Sequence, residues 1–136
     1  MPRLCVLLPA RNAAGTIGRA VASTLRAMPS DSELVVGDDS STDATAERAQ
    51  EAAAGDPRLR VLPIAPGEGG VARVLGQLMA ATDSSLVGRM DADDVSLRGR
   101  FRRCGAAIGR GDDMVFTQIV ELRGRRPVPR APYSIG

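Results

Sequence analysis

The sequence predicts an α/β fold: an open, Rossmann-like, mainly parallel sheet with helices on both faces. Two observations carry that expectation. Short apolar runs alternate with stretches of helical periodicity in the order βαβαβαβαβ, and parallel strands need such crossover helices. Strand-like runs also stop at polar or acidic residues, as strands do where their carboxyl ends open on a ligand crevice.

Leu4–Leu8 is apolar and closed by Pro9, the pattern of a buried parallel strand. Ile17, Val21, Leu25 and Met28 recur at helical spacing between Ala13 and Met28, with Pro29 just beyond. Glu33–Gly37 is a second strand. Ser40 and Ser41 are expected to cap a helix over Thr42–Ala54, with Asp43 in its first turn. Leu59–Ile64 is a third strand, Gly67–Gly70 a loop, and Val71, Leu75, Leu78 and Met79 mark a helix to about Ala81. Ser85–Met90 is a fourth strand running directly into Asp91-Ala92-Asp93-Asp94. Leu97, Phe101, Cys104 and Ile108 define another helix, and alternation over Met114–Leu122 predicts a fifth strand. The domain is expected to span residues 1–122. Residues 123–136, with three prolines, four arginines and no periodicity, read as a Pro/Arg-rich linker or frayed end.

Composition narrows the chemistry. The chain has 136 residues, 43% apolar and 25% charged, with a formal charge of +2, an ordinary one-domain globular mix. There is no His and no Lys, which excludes Ser-His-Asp and Cys-His catalysis, His-rich zinc sites and a Walker A loop. Aromatics are 2%, so base-stacking platforms for nucleic acid are not expected. The basic clusters Arg98–Arg103 and Arg123–Arg130 read as solvated surface. Cys5 and Cys104 read as small core residues. No apolar run approaches the ~20 residues that span a bilayer, and Met1-Pro2-Arg3 leads straight into a strand. The expected location is cytoplasmic, or peripheral at the cytoplasmic face of a membrane.

Three polar segments fall after apolar strands: Pro9-Ala10-Arg11-Asn12, Asp38-Asp39-Ser40-Ser41 and Asp91-Ala92-Asp93-Asp94. A single Asp after a strand is usually a turn former or cap. Acidic segments far apart in sequence but due at one sheet edge point instead to a shared site. The third puts three carboxylates within four residues. Left unpaired, they raise one another's pKa, a cost that a divalent cation relieves. Hard oxygen ligands suit Mg²⁺ or Mn²⁺.

Four motifs in order resemble family 2 glycosyltransferases of the GT-A fold. Leu4–Asn12 resembles their opening strand and P-x-x-N turn, and Val35–Asp43 their V-V-D-D-G-S-x-D segment. Gly70-Val71-Ala72-Arg73 is similar to G-x-A-R, and Met90–Asp94 to hydrophobic-D-A-D-D. The resemblance implies a nucleotide pocket lined by Pro9, Ala10, Arg11 and Asn12, with Asp39 bonding the base, preferably uracil, and Asp38 supporting it. It implies Arg73 near the base or diphosphate, Asp91 and Ala92 on the ribose or sugar side, and Asp93 binding Mg²⁺ or Mn²⁺ with Asp91 and Asp94 beside it. The implied reaction is inverting transfer from a nucleoside-diphosphate sugar to a glycan, lipid or other hydroxyl acceptor. No residue matches the family's general base, a carboxylate well after the D-x-D strand, so the resemblance places that base beyond Gly136. The family's usual residues are replaced at Arg11, Val74 and Asp83, which leaves the donor's identity open.

Two other readings remain. One is a nucleotide-sugar-binding module without turnover. The other is a haloacid-dehalogenase-like phosphotransferase, whose D-x-D-x-T/V pattern fits Asp91–Val95 but whose usual downstream Lys is absent. A dinucleotide-binding oxidoreductase is disfavoured because Pro9–Gly18 holds no G-x-G-x-x-G.

Overall fold

The computed structural model describes residues 3–117, 120–123 and 126–129, and the chain divides into two compact units, residues 1–102 and 103–136. The first unit carries β1 (Leu4–Ala10), α1 (Ile17–Ala27), β2 (Ser32–Asp38), α2 (Thr45–Ala53), β3 (Leu59–Pro63), α3 (Val71–Ala80), β4 (Leu86–Arg89) and the start of α4 (Arg100–Gly109). Its four strands stand in the order β3-β2-β1-β4, all parallel.

Alternation along β1 and β2 divides the core in two. Val6, Leu8, Leu34 and Val36 face α1 and α2, with Ile17, Val21, Leu25 and Ala49 packed on them. Cys5, Leu7 and Val35 face the other way, against Val74 and Leu78 of α3. Helices on both faces explain why these strands are continuously apolar. Burial pushes the Cys5 thiol up to about 11, so it is an inert core group as expected.

At Gly37, β2 packs tightly against α3. A Cβ there would lie 2.8 Å from Val74 Cγ1 and 3.0 Å from Leu78 Cδ2. Gly37→Ala is expected to destabilise by about 1–3 kcal/mol through overpacking. Urea unfolding checks this, and an unchanged midpoint would show that the interface yields freely.

Arg58 closes the opposite end of the sheet. Its guanidinium donates to the carbonyls of Leu25 (2.9 Å), Met28 (3.3 Å) and Pro29 (3.2 Å) and to the Asp56 carboxylate. The Arg58 hydrogen bonds hold Asp56 below the usual carboxylate range. These contacts satisfy carbonyls at the end of α1 and make the broad depression around Arg58 a structural feature.

Three elements differ from expectation. The helix after β2 starts at Thr45, and its N-cap Ala44 makes no side-chain cap, because Ser40 and Ser41 bond to other loops. Leu97 lies ahead of α4 and is exposed. The fifth strand does not join the parallel sheet: Val120–Arg123 (β5) pairs antiparallel with Arg126–Pro129 (β6) in the second unit. Only two residues separate those strands, so the closure entropy is small, whereas Met114 and Phe116 are exposed and not in a strand. Part of the stretch read as linker is thus a strand. Residues 124–125 and 130–136 lie outside the described residues. Among the described residues no helix is long and apolar enough to cross a membrane.

Candidate functional site

The parallel register brings the polar segments to one edge. Ala10 pairs with Asp38, and the Met90 amide donates to the Leu7 carbonyl at 2.9 Å. The residues after β1, β2 and β4 therefore emerge side by side. Asp39 and Asp91 flank β1 on either side, about two strand spacings or roughly 10 Å apart.

The loops after β1 and β2 are laced together. Asn12 Oδ1 accepts from the Thr42 amide at 2.8 Å and from its hydroxyl at 3.2 Å, while the Asn12 amide donates to Ser41 Oγ at 2.9 Å. The Ala13 amide donates to Thr45 Oγ1 at 2.8 Å, and the Ala14 amide to Asp43 Oδ2 at 3.1 Å. Thr45 donates its hydroxyl to Asp43. That bond, ahead of the Ala14 and Thr45 amides, holds the Asp43 carboxyl below its ordinary range. Asp38 supports the turn by accepting from the Ser41 amide at 3.3 Å, and Ser40 Oγ donates to the Ile64 carbonyl at 2.9 Å. Asn12 and Ser40 hold φ of 47° and 50°, a left-handed conformation that asparagine tolerates well and that is uncommon for serine.

Asp39 is buried, 7% exposed. Its Oδ2 accepts from the Gly70 amide at 3.0 Å, so the carboxylate sits at the N-terminal end of α3, where a negative charge is favourable. A Cβ on Gly69 would come within 2.2 Å of Oδ1, so any side chain at 69 would have to displace the Asp39 carboxylate. Arg11, Asp39, Ser40, Pro66, Gly67, Gly69 and Gly70 line a cleft of about 430 Å³. Arg73, in the first turn of α3, reaches back to the Gly67 carbonyl at 3.3 Å.

Across β1 lies the acidic loop. Asp91 accepts from Arg89 Nε at 3.2 Å and Nη2 at 3.1 Å. This pair is half-exposed and worth roughly 0–1 kcal/mol. Asp93 and Asp94 are exposed, and the Asp94 amide closes a turn onto the Asp91 carbonyl at 3.2 Å. The Asp94 carboxyl lies above its ordinary range, first through desolvation and then through the charges of Asp93 and Asp91, with Arg100 opposing. Among the described residues, no group of three or more carboxylate or thiol side chains could hold an ion. The donor set instead fits a cation that takes one or two carboxylates from protein and the rest of its shell from phosphate and water.

The structure thus gathers Ala10, Asn12, Asp38 and Asp39 in one hydrogen-bonded group with Arg11 lining the cleft beside it, ties Arg73 to the Gly67 carbonyl of the cleft wall, and carries Asp91, Ala92, Asp93 and Asp94 on the far side of β1. Pro9 pairs with Gly37 within the sheet. Sequence reasoning missed the lacing by Ser41, Thr42 and Thr45, the seat that Gly69 and Gly70 give Asp39, and the buried Ser96. For the first, the polar run Ser40–Asp43 opposite a P-x-x-N turn was the available signal.

A family model described as Glycosyl transferase family 2 matches residues 5–131. Succinoglycan biosynthesis protein ExoU of Rhizobium meliloti (strain 1021) is 43% identical over 97 residues, 71% of this chain and 28% of ExoU, so the chain spans well under half of that relative. The S. aureus TarS 1–349 structure in complex with UDP-GlcNAc superposes with a TM-score of 0.72 at 23% identity, covering 81% of this chain and 32% of that one. Glucosyl-3-phosphoglycerate synthase from Mycobacterium tuberculosis, in complex with Mn²⁺, UDP and glucosyl-3-phosphoglycerate, gives a TM-score of 0.65 at 25% identity over 82% of this chain and 41% of that one. The fold is the expected GT-A arrangement.

Proposed function

We propose, on the premise that this chain belongs to glycosyl transferase family 2, that its polar sheet edge binds a nucleoside-diphosphate sugar, with uridine as the nucleoside. The sugar is passed to the hydroxyl of a glycan, lipid or other acceptor by inverting, metal-assisted displacement, in the setting of polysaccharide biosynthesis at the cytoplasmic side. The observation that carries the reading is the pairing of two different chemistries across β1. A cleft with one buried carboxylate, Asp39, lies on one side, and an exposed acidic loop lies on the other.

The separation of about 10 Å suits a ligand with a base at one end and a diphosphate at the other. Asp39 Oδ2 is occupied by Gly70, leaving Oδ1 to accept an N–H from the base edge. Arg11 and Arg73 bring positive charge to the cleft side. Asp93, with Asp91 and Asp94 beside it, would hold Mg²⁺ or Mn²⁺, which when bound offsets charge on the leaving diphosphate. The UDP and Mn²⁺ bound by the mycobacterial relative support both assignments. No residue of this chain is assigned as general base.

Calorimetry of UDP against the chain, with Mn²⁺ or with EDTA, tests the reading. UDP is expected to bind tighter with Mn²⁺. Equal affinity overturns the metal assignment, and no UDP binding in either condition overturns the donor site. Asp39→Asn supplies a second test. If the amide oxygen keeps the Gly70 bond, the NH₂ faces the base and loses its N–H acceptor. UDP is then expected to weaken about tenfold more than ADP, the cost of a hydrogen bond to a charged group. Equal weakening of both nucleotides would reduce Asp39 to a holder of Gly70.

A further inference from the structure

The side chain of Arg100 belongs to no part of the donor site just described, yet it grips the neck of the acidic loop. Its Nη2 donates to the Arg89 carbonyl at 2.7 Å, and its Nη1 lies 3.1 Å from both Met90 Sδ and Ser96 Oγ. Arg89 and Met90 immediately precede Asp91, and Ser96 follows Asp94 by two residues. One planar, five-donor group therefore joins the two ends of the segment that carries the three carboxylates. The guanidinium also lies over the buried Phe101 ring, 4.8 Å from its centroid, within cation–π range.

Ser96 extends the tie. It is 6% exposed. Its amide donates to Ser23 Oγ at 3.0 Å, and its hydroxyl shares a hydrogen bond with Thr24 Oγ1 at 3.1 Å. Ser23 and Thr24 belong to α1, the helix that follows the Pro9–Asn12 turn. The acidic loop is thus pinned at both ends to the same framework as the cleft, while the side chains of Asp93 and Asp94 are left exposed to solvent.

We infer that Arg100, acting with Ser96, is a positioning residue that holds the Asp91–Asp94 loop in the geometry that takes up the cation and diphosphate. The inference rests on the donor-site reading above. A group that fixes ligands from behind typically changes metal affinity by about 10–100-fold when removed, without touching the ligand. Lysine at this position keeps the charge but cannot span three acceptors.

The test compares the full 136-residue chain with Arg100→Met, Arg100→Lys and Ser96→Ala, with Arg98→Met as an exposed charge-loss control on the same segment. Three quantities are measured: uridine affinity, UDP affinity with and without Mn²⁺, and hydrogen exchange at the Asp94 amide. Arg100→Met is expected to lose about tenfold in the Mn²⁺-dependent gain of UDP affinity and to exchange Asp94 faster. Uridine affinity and the Arg98→Met control should match wild type. Arg100→Lys should recover only part of the gain, and Ser96→Ala, a smaller change, should lose it in the same direction. A wild-type chain that responds to Mn²⁺ while both Arg100→Met and Ser96→Ala respond equally overturns this assignment alone. Parallel losses of uridine affinity and of the Mn²⁺ response reduce Arg100 to a structural group and also overturn it. A wild-type chain with no Mn²⁺ response overturns the metal reading itself, and this assignment with it.

Discussion

Leu34→Ala is expected to remove about 2–5 kcal/mol of folding stability. Leu34 is fully buried in the middle of the sheet, paired with Val6 on β1 and Leu59 on β3, and packed in the α1/α2 side of the core. Truncation removes transfer energy and leaves a void that two neighbouring strands and two helices cannot collapse into without breaking register. Against a total of roughly 5–15 kcal/mol for a typical domain, that is a large fraction. Leu34 lies in the half of β2 that precedes the site, so nucleotide affinity measured well below the unfolding midpoint should persist. Denaturant titration with an unchanged slope and a lower midpoint is the expected record. A loss below about 1 kcal/mol would mean that the core relaxes around the gap and that the sheet is less tightly packed than its burial implies.

What could be read from the sequence divides along physical lines. The four parallel strands and α1 to α3 were legible because burial on both faces writes continuous apolar runs, and one-sided burial writes a helical stripe. The buried face of α3 is centred on Val74 and Leu78, while Val71 and Met79 of the expected stripe are half-exposed, so the helix was placed correctly but its stripe omitted Val74 and was rotated about the axis. The sheet edge was legible because strand polarity alone fixes which ends carry Asp38, Asp39 and Asp91. The lacing was not. Asn12 meets Thr42 across 30 positions, and the geometry that lets it do so depends on the register of β1 on β2. Ser40 and Ser41 read as helix caps because local chemistry favours that role, but other loops supplied better-placed partners.

The arginines show the same limit. Arg100 sits within Arg98–Arg103, a run that reads as solvated surface. In the structure Arg98, Arg102 and Arg103 are exposed as expected, whereas Arg100 finds three acceptors and a ring face. Nothing in the local sequence separates one arginine from its neighbours. The fifth strand differs from expectation for a related reason: alternation signals a strand but not its partner, and Val120–Arg123 pairs with the proline-bearing segment Arg126–Pro129, which has no apolar periodicity of its own. Proline is compatible with an edge strand.

Asp93→Ala is expected to abolish most of the Mn²⁺-dependent affinity for UDP, at the upper end of the ~10–100-fold range seen when even supporting residues of a metal site are lost. The three carboxylates are not equivalent. Asp91 has one oxygen engaged by Arg89, which a ligand must displace or work around. Asp94 has its ionised form disfavoured by desolvation and by both neighbours. Asp93 is exposed, at the tip of the turn that the Asp94 amide closes onto the Asp91 carbonyl. It is therefore the carboxylate most available to a cation completed by phosphate oxygens. The same substitution should leave folding stability unchanged or slightly raised. Asp94 is a carboxyl whose folded pKa lies above its ordinary value, so its favourable contribution is present at low pH and is lost as pH rises through the folded pKa. Removing the Asp93 charge lowers that pKa and with it the cost at neutral pH, a small effect because both groups are exposed. The expected signature is thus a loss of Mn²⁺-dependent UDP binding in a chain that unfolds no earlier than wild type, with uridine affinity within about twofold. If Asp93→Ala binds UDP with Mn²⁺ as well as wild type does, the cation is held elsewhere, and Asp91→Ala and Asp94→Ala become the variants that locate it.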